Sequence, residues 1–368
     1  MKKKNLCKTL LKTMCIVLGI LILALLAYIV YLYASYYRIE DNQELVVEAP
    51  VDDTTTGAAA VLATDTEYSA VTYNIGFGAY LPDYSFFMDG GTSSWAESPE
   101  TVQYAINGAG ELVKSLDPDF ALIQEIDLDA TRSYHTDEYE MLRNILPEYT
   151  TVFAQNYDSA FLFYPFTQPH GSSRAGLGLF SKYPVSSALR RSFPISTSFS
   201  KFFDLDRCYS VSRIPVDNGK ELVIFNLHMS AYGNSDEIRK GQIEMLCNDM
   251  AKEYEAGNYV LCGGDFNHDL KASEEDTESC ESWAFPFPRT ELPEHFAFCL
   301  DLLSSEEQAA LWNSARNADM EYVPGVTYTV TLDGFIISDN IECLSYENVN
   351  TGYSYSDHDP VKVEFMLR

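Results

Sequence analysis

From Thr13 to Tyr37 the chain runs for 25 residues without a charge, and no other stretch so limits what it can fold into. Dense in Leu, Ile, Val and Ala, the run is long enough as a helix to cross a hydrocarbon core of roughly 30 Å. Within lipid a lone segment satisfies its backbone only as a helix. Lys2, Lys3, Lys4, Lys8 and Lys12 precede the run and only Arg38 follows. That asymmetry puts the N-terminus in the cytoplasm and the remainder outside. The apolar core is too long for a cleaved signal peptide, and no small-x-small site follows it. The reading is an uncleaved anchor in the cell membrane, single-pass.

Three regions are expected. Residues 1–38 form the lysine-rich stub and transmembrane anchor. Residues 39–66 are acidic, small and aperiodic, the composition of a flexible linker. Residues 67–368 contain no later seam or internal repeat and read as one catalytic domain.

Charge narrows the partners. The whole chain has a net charge of −29 from 25 basic and 54 acidic residues. Six of the basic residues and no acid lie in the first 38, which leaves a net of −35 outside. Proteins that track a phosphate backbone carry basic stripes, so tight duplex binding is disfavoured. A small or zwitterionic phosphate substrate is compatible with such a surface. Cys7 and Cys15 lie in or beside the anchor, while Cys208, Cys247, Cys262, Cys280, Cys299 and Cys343 are scattered without metal-ligand spacing. That density implies no disulfide scaffold.

Ser98-Pro99-Glu100 is a helix start, followed by Val102, Ala105, Ile106, Ala109, Leu112, Val113 and Leu116 at helical spacing and stopped by Asp117-Pro118. A second helix is expected over Asp236 to Tyr254. Strands are expected at 70–74, 120–123, 176–180, 209–214, 222–227, 259–262, 335–337 and 361–366. Their continuous apolar runs point to sheets covered on both faces, hence an α/β or α+β fold.

Polar residues recur just after these strands. In order they are Tyr73-Asn74-Ile75-Gly76, Gln124-Glu125-Ile126, Ser181-Lys182-Tyr183-Pro184, Asn226-Leu227-His228, Gly264-Asp265-Phe266-Asn267, Leu332-Asp333-Gly334-Phe335 and Ser356-Asp357-His358. Carboxylates gathered at strand ends hold a hard cation, and imidazoles and carboxamides stabilise charge on phosphoryl oxygens. Each piece alone has an ordinary reading. Asn74 and Asn267 are turn residues, Asp333-Gly334 is a turn signal, Glu125 is a solvated strand end, and His228 is a core histidine.

Taken in order, the set resembles the endonuclease/exonuclease/phosphatase superfamily over about residues 68–368. The resemblance implies a four-layer α/β sandwich, two packed β-sheets flanked by helices. It implies Asn74, Glu125 and Asp357 at a Mg²⁺ (or Mn²⁺) site and Asp265 at the attacking water. It further implies Asn267 on a phosphoryl oxygen, His358 oriented by Asp333, and His228 as a second imidazole. Gly334 stands where many relatives have Tyr, and no inositol 5-phosphatase signature precedes Asp333. Arg174 and Arg207 are added as substrate-phosphate ligands, with a surface ion pair as the alternative for each. His135, His170, His268 and His295 read as structural or exposed. The aromatic run Phe161–Phe166 reads as buried strand and loop, or as a lipid contact.

The function expected is a membrane-tethered, extracytoplasmic, Mg²⁺-dependent hydrolase of phosphate esters, either phosphodiesterase or phosphatase. Its substrate would be a lipid headgroup, a nucleotide or another small phosphodiester. A secreted-side nuclease and a non-catalytic surface binding module are the alternatives.

Overall fold

A computed structural model describes residues 2–52, 61–202, 204–230, 236–273 and 284–368. It divides into two compact units between Arg38 and Ile39. The first holds helix α1 (Lys2–Ser35), of which Leu6–Ser35 is long and apolar enough to cross a membrane.

The second unit is built on two seven-stranded sheets. In chain order it begins with β1 (Gln43–Glu44), β2 (Val47–Glu48), β3 (Glu67–Asn74), α2 (Pro99–Leu116), β4 (Phe120–Ala130) and α3 (Glu138–Ile145). Next come β5 (Thr150–Leu162), β6 (Gly171–Ser181), β7 (Ser187–Ser192), β8 (Cys208–Pro215), β9 (Glu221–His228), α4 (Asp236–Glu255) and β10 (Tyr259–Asp265). The chain closes with β11 (Phe296–Phe298), α5 (Ser305–Ala310), β12 (Ala315–Arg316), β13 (Thr329–Val330), β14 (Asp333–Ser338), β15 (Ile341–Asn348) and β16 (Val361–Leu367). One sheet has the order β1-β7-β8-β9-β10-β14-β11 and the other β15-β16-β3-β4-β6-β5-β2.

The sheets pack face to face over one apolar core that includes Phe120, Leu122 and Leu179 from one and Ile224, Phe225 and Leu261 from the other. Buried polar groups also bridge them: Gln124 Nε2 donates to Asn226 Oδ1 at 2.8 Å, and Asn226 Nδ2 donates to the Gly178 carbonyl at 2.9 Å. Helix α4 covers one outer face through Ile243, Leu246 and Met250. Helices α2 and α3 cover the other through Val102, Ile106, Val113 and Leu142. This is the four-layer α/β sandwich.

Local sequence explains α2. Ser98 Oγ accepts from the Thr101 amide, Pro99 occupies the first turn, and Asp117 ends the helix in the left-handed region. The Gly-Gly before Asp265 is a packing device. A Cβ on Gly263 would stand 2.4 Å from Phe335, and one on Gly264 (φ +146°) would stand 2.1 Å from the Leu227 carbonyl. Any side chain there would drive β10 off its neighbours.

The expected strands and both long helices are present, but three features differ. Residues 43–48 of the expected linker add edge strands to both sheets, because Gln43 and Glu44 pair with Arg190 and Leu189, and Val47 and Glu48 with Val152 and Thr151. Residues 53–60 of that linker, and Cys280, lie outside the described residues. Strands β5, β7, β11, β12, β13 and β15 lie outside the expected set. The run Phe161–Phe166 leaves β5 with Phe163, Tyr164 and Phe166 exposed.

Candidate active site

Strand direction assembles the site. Strands β3 and β4 run parallel, as do β9 and β10, so their C-terminal ends share an edge. Asn74, His228 and Asp265 each end one of these strands. Asp265 is the Cα partner of His228 on one side and of Asp333 on the other. Strand β16 runs antiparallel to β3, which carries Asp357 and His358, just before it, to the same edge.

Glu125 reaches the site by a break in register. Ile123 pairs with Gly178 and Ile126 with Gly176, so two residues of β4 oppose one of β6. Glu125 takes φ +57° in this bulge, and Asn267 takes φ +50° just past β10. Non-glycine residues in the left-handed region cost about 1–3 kcal/mol and persist where surrounding structure holds them.

These groups face a cavity of about 390 Å³ lined by Glu125, His228, Asp265, Asn267, Asp357 and His358. His358 Nδ1 lies 2.7 Å from Asp333 Oδ2, which also accepts from Ser314 Oγ at 2.8 Å. His358 Nε2 is 3.9 Å from Asp265 Oδ2, and His228 Nε2 is 3.5 Å from the same oxygen. Asn267 donates its backbone N–H to Asp265 Oδ1 at 2.8 Å, and its side-chain amide donates to Asp265 Oδ2 at 3.2 Å. Asn74 Nδ2 donates to both Glu125 Oε1 and Asp265 Oδ2 at 3.1 Å, while its own oxygen accepts from the Gly76 N–H. In this arrangement Asn74 joins two carboxylates through its NH₂.

The electrostatics separate the groups by role. Burial pushes Asp265 up to about 7, with Asp333 adding to the shift and His358, the Asn267 amide and Asn74 opposing it. Burial works against a charged His358, yet Asp333, Asp265 and Asp357 together raise it well above the usual histidine range. Burial drives His228 well below that range, helped by Arg207 and His358, so its ring is neutral.

The acid-rich cleft fits a hard divalent cation. Burial raises Asp357, with Glu125 adding to it. Burial likewise pushes Asp89, on the same cleft, up to about 7, with Asp357 and Glu125 adding. Oxygen donors crowded until they resist ionisation gain most from a bound cation. Asp265, Asp333 and His358 also place ligand atoms within 4.8 Å of one another, all three buried.

Arg207 lines the cleft, as expected, but Arg174 does not. Arg174 is a surface residue paired with Asp129 at 3.1 Å, and Asp129 also holds His135 at 2.6 Å. In an acidic domain a guanidinium beside a strand finds a carboxylate partner easily. His268 is bound to the Phe266 carbonyl at 2.6 Å and packs on Phe287, away from the cleft. His170, read as structural or exposed, instead lines the cleft, as do Arg132, Arg316 and Asn156, which carried no motif. Arg132 lies 3.7 Å over the Phe77 ring and is held by the Asp127 carboxylate.

Comparison with known proteins agrees with this architecture. The fold is similar to that of an endonuclease/exonuclease/phosphatase from Beutenbergia cavernae (16% identity, 82% of this chain and 72% of that one, TM-score 0.54). It is also similar to D. rerio TDP2 complexed with a single-strand DNA product (14% identity, 82% and 99%, TM-score 0.53). A third likeness is to the human Nocturnin catalytic domain with bound sulfate (14% identity, 84% and 96%, TM-score 0.52). No curated protein sequence matches significantly. The profile of the Endonuclease/Exonuclease/phosphatase family matches residues 71–302, well over half the chain, and the chain belongs to that family.

Proposed function

We propose that this protein is a divalent-metal-dependent phosphoric ester hydrolase, anchored by its N-terminal helix with the catalytic domain outside the cytoplasm. The observation that carries the reading is the buried Asp333–His358 pair at 2.7 Å, facing Asp265 where both sheets end.

Glu125 and Asp357, with Asn74 beside them, are the residues to hold Mg²⁺ or Mn²⁺. The bound cation would supply Lewis-acid stabilisation of charge on the phosphoryl oxygens. Asp265, raised to about 7, is matched to accept a proton from the attacking water near neutral pH. Asn267 lines the cleft with its amide donating to Asp265 Oδ2 and to the Met229 carbonyl, so it fixes the proposed base and would have to exchange one of these bonds to reach a phosphoryl oxygen. His358 is held by Asp333 with Nε2 toward the cleft, where a charged ring donates to the phosphoryl group. Neutral His228 stands on the leaving-group side, where a ring N–H can hydrogen-bond the leaving oxygen as charge builds on it.

The net of −35 outside the membrane favours small esters over a nucleic-acid duplex. The decisive assay presents purified protein with bis-p-nitrophenyl phosphate, sphingomyelin, plasmid DNA and inositol phosphates, each in Mg²⁺ and in EDTA. Hydrolysis of at least one ester in Mg²⁺ and none in EDTA is the expected result. Inertness toward the whole panel would leave the binding-module alternative standing.

A further inference from the structure

Beyond the reacting groups, the cleft wall carries polar atoms that nothing in the protein satisfies. Among the described residues, Arg207 Nε and Nη1, Asn156 Nδ2 and Oδ1, and His170 Nδ1 are buried without hydrogen-bond partners. The three side chains are 7%, 1% and 6% exposed, and all line the cavity that holds Glu125 and His358. Buried polar groups in native proteins are almost always paired, so orphaned atoms on these residues of one cavity call for an absent partner. Arg316 Nε in the same lining is orphaned too, but its other two nitrogens are bound to backbone carbonyls.

Asn156 is aimed there by the backbone. Gln155 pairs with Gly176 and Tyr157 with Ala175, which leaves Asn156 as the extra residue of a β-bulge. Bulges re-aim side chains and recur beside active sites. Glu125 sits in the bulge on the opposite flank of β6, near the same Gly176. With strands spaced about 4.8 Å apart, Glu125 and Asn156 stand about 10 Å from each other across β6.

We propose that Arg207, Asn156 and His170 form a second subsite, which takes an anionic group on the non-reacting part of the substrate with a hydroxyl beside it. The proposal rests on the phosphoesterase reading of the site. Arg207 brings a fixed positive charge and two donors, Nε and Nη1, that the protein leaves unused, and each can give a charge-assisted hydrogen bond to a phosphate or carboxylate. Asn156 offers a donor and an acceptor together, which a hydroxyl can satisfy. Burial and the nearby Arg132 charge push His170 down to about 3, against a hydrogen bond from the ring to the Ser94 backbone, so it adds no second charge. A cavity of about 390 Å³ suits a small organic molecule carrying two anionic groups. The substrate class is therefore a small polyol ester bearing a second anion.

The test uses full-length protein in detergent and ligands with C–P bonds, which an ester hydrolase cannot cut. Calorimetry in Mg²⁺ compares an α,ω-alkane bisphosphonate with the alkylphosphonate of the same length, and then with a hydroxylated bisphosphonate. The bisphosphonate should bind wild type roughly 10- to 100-fold more tightly than the monophosphonate, the range for a hydrogen-bonded charged group. Arg207→Gln should erase that preference, Arg207→Lys should keep part of it, and Asn156→Ala should remove the gain from the hydroxyl. Equal binding of the two phosphonates, or a preference that survives both Arg207 variants, overturns the subsite. Tighter, Arg207-dependent binding of a single-stranded oligonucleotide overturns the small-ligand assignment. Binding here needs no turnover, so a wild type that binds as expected but cleaves no ester would remove the proposed activity and leave the subsite intact.

Discussion

Asp265 and Asp333 are direct cross-strand partners on β10 and β14, two buried carboxylates set side by side with His358 between them. Like charges directly opposite in a sheet are destabilising, and burial makes the repulsion worse. The imidazole reaches Asp333 at 2.7 Å through Nδ1 and Asp265 at 3.9 Å through Nε2. One ring therefore lies between two carboxylates, hydrogen-bonded to Asp333 and close to Asp265, the proposed base.

If Asp333 acts through His358, each single replacement by Ala should lower kcat by at least about 10²-fold, the lower end of general acid–base contributions. The double variant Asp333→Ala/His358→Ala should lose little more than His358→Ala alone, because residues that act as a unit are not additive. Steady-state kinetics on one ester across the three variants decides this. Multiplicative losses would assign Asp333 a role independent of the ring.

Glu125 combines a left-handed backbone with a place among crowded acids, so function and stability should part there. Glu125→Gly removes both the φ +57° strain and one carboxylate. The fold should gain about 1 kcal/mol, the lower end of the left-handed cost for a residue with a Cβ, while hydrolysis is lost. Denaturant unfolding at neutral pH in EDTA measures the gain. A destabilised variant would show that the Glu125 side chain supports the bulge itself.

With Glu125 and Asp357 as oxygen donors, the site should prefer Mg²⁺ or Mn²⁺ to Zn²⁺. Thermal unfolding should show a rise in Tm on adding Mg²⁺, since a ligand that binds only the folded state stabilises it. Glu125→Gln should shrink that rise. Full hydrolysis by protein shown to be metal-free by elemental analysis would refute the assignment.

Legibility in the sequence followed strand ends. Asn74, His228 and Asp265 stood out because each interrupts an apolar run at the point where a buried strand must stop. Asp333 and His358 came from short local motifs, and the resemblance supplied their pairing. Asn156 left no such mark. Strand β5 mixes polar and apolar residues over 150–162, and a bulge is a mismatch in pairing that one strand cannot disclose. Arg132, Arg316 and His170 enter the cleft from loops and a short strand whose positions depend on the finished sandwich. Arg174 takes the second of its two readings, a surface ion pair, because composition cannot distinguish a guanidinium awaiting phosphate from one already on Asp129. The segment 43–48 reads as linker because two-residue edge strands have no period to detect.

The anchor is open to a direct test. Because Thr13–Tyr37 lacks charge and no small-x-small site follows it, the mature protein should retain its lysine-rich N-terminus. It should stay with membranes after a carbonate wash. N-terminal sequencing of the washed fraction checks both points, and a soluble form beginning near Glu40 would show cleavage instead.

His268 gives a pH dependence with a definite sign. Burial lowers it from the usual 6.5 to about 4, so the folded ring stays neutral where the unfolded ring takes a proton. Between about 6.5 and 4 the unfolded state binds more protons, and stability must fall as pH falls through that window. Its contribution is fully present above 6.5. His268→Gln keeps a polar group near the Phe266 carbonyl but cannot titrate. The variant should be less stable than wild type at pH 7.5, through lost packing on Phe287, yet lose less stability between pH 7 and 5. Urea unfolding at the two pH values measures both slopes, and equal slopes would mean that the ring is not held neutral in the fold.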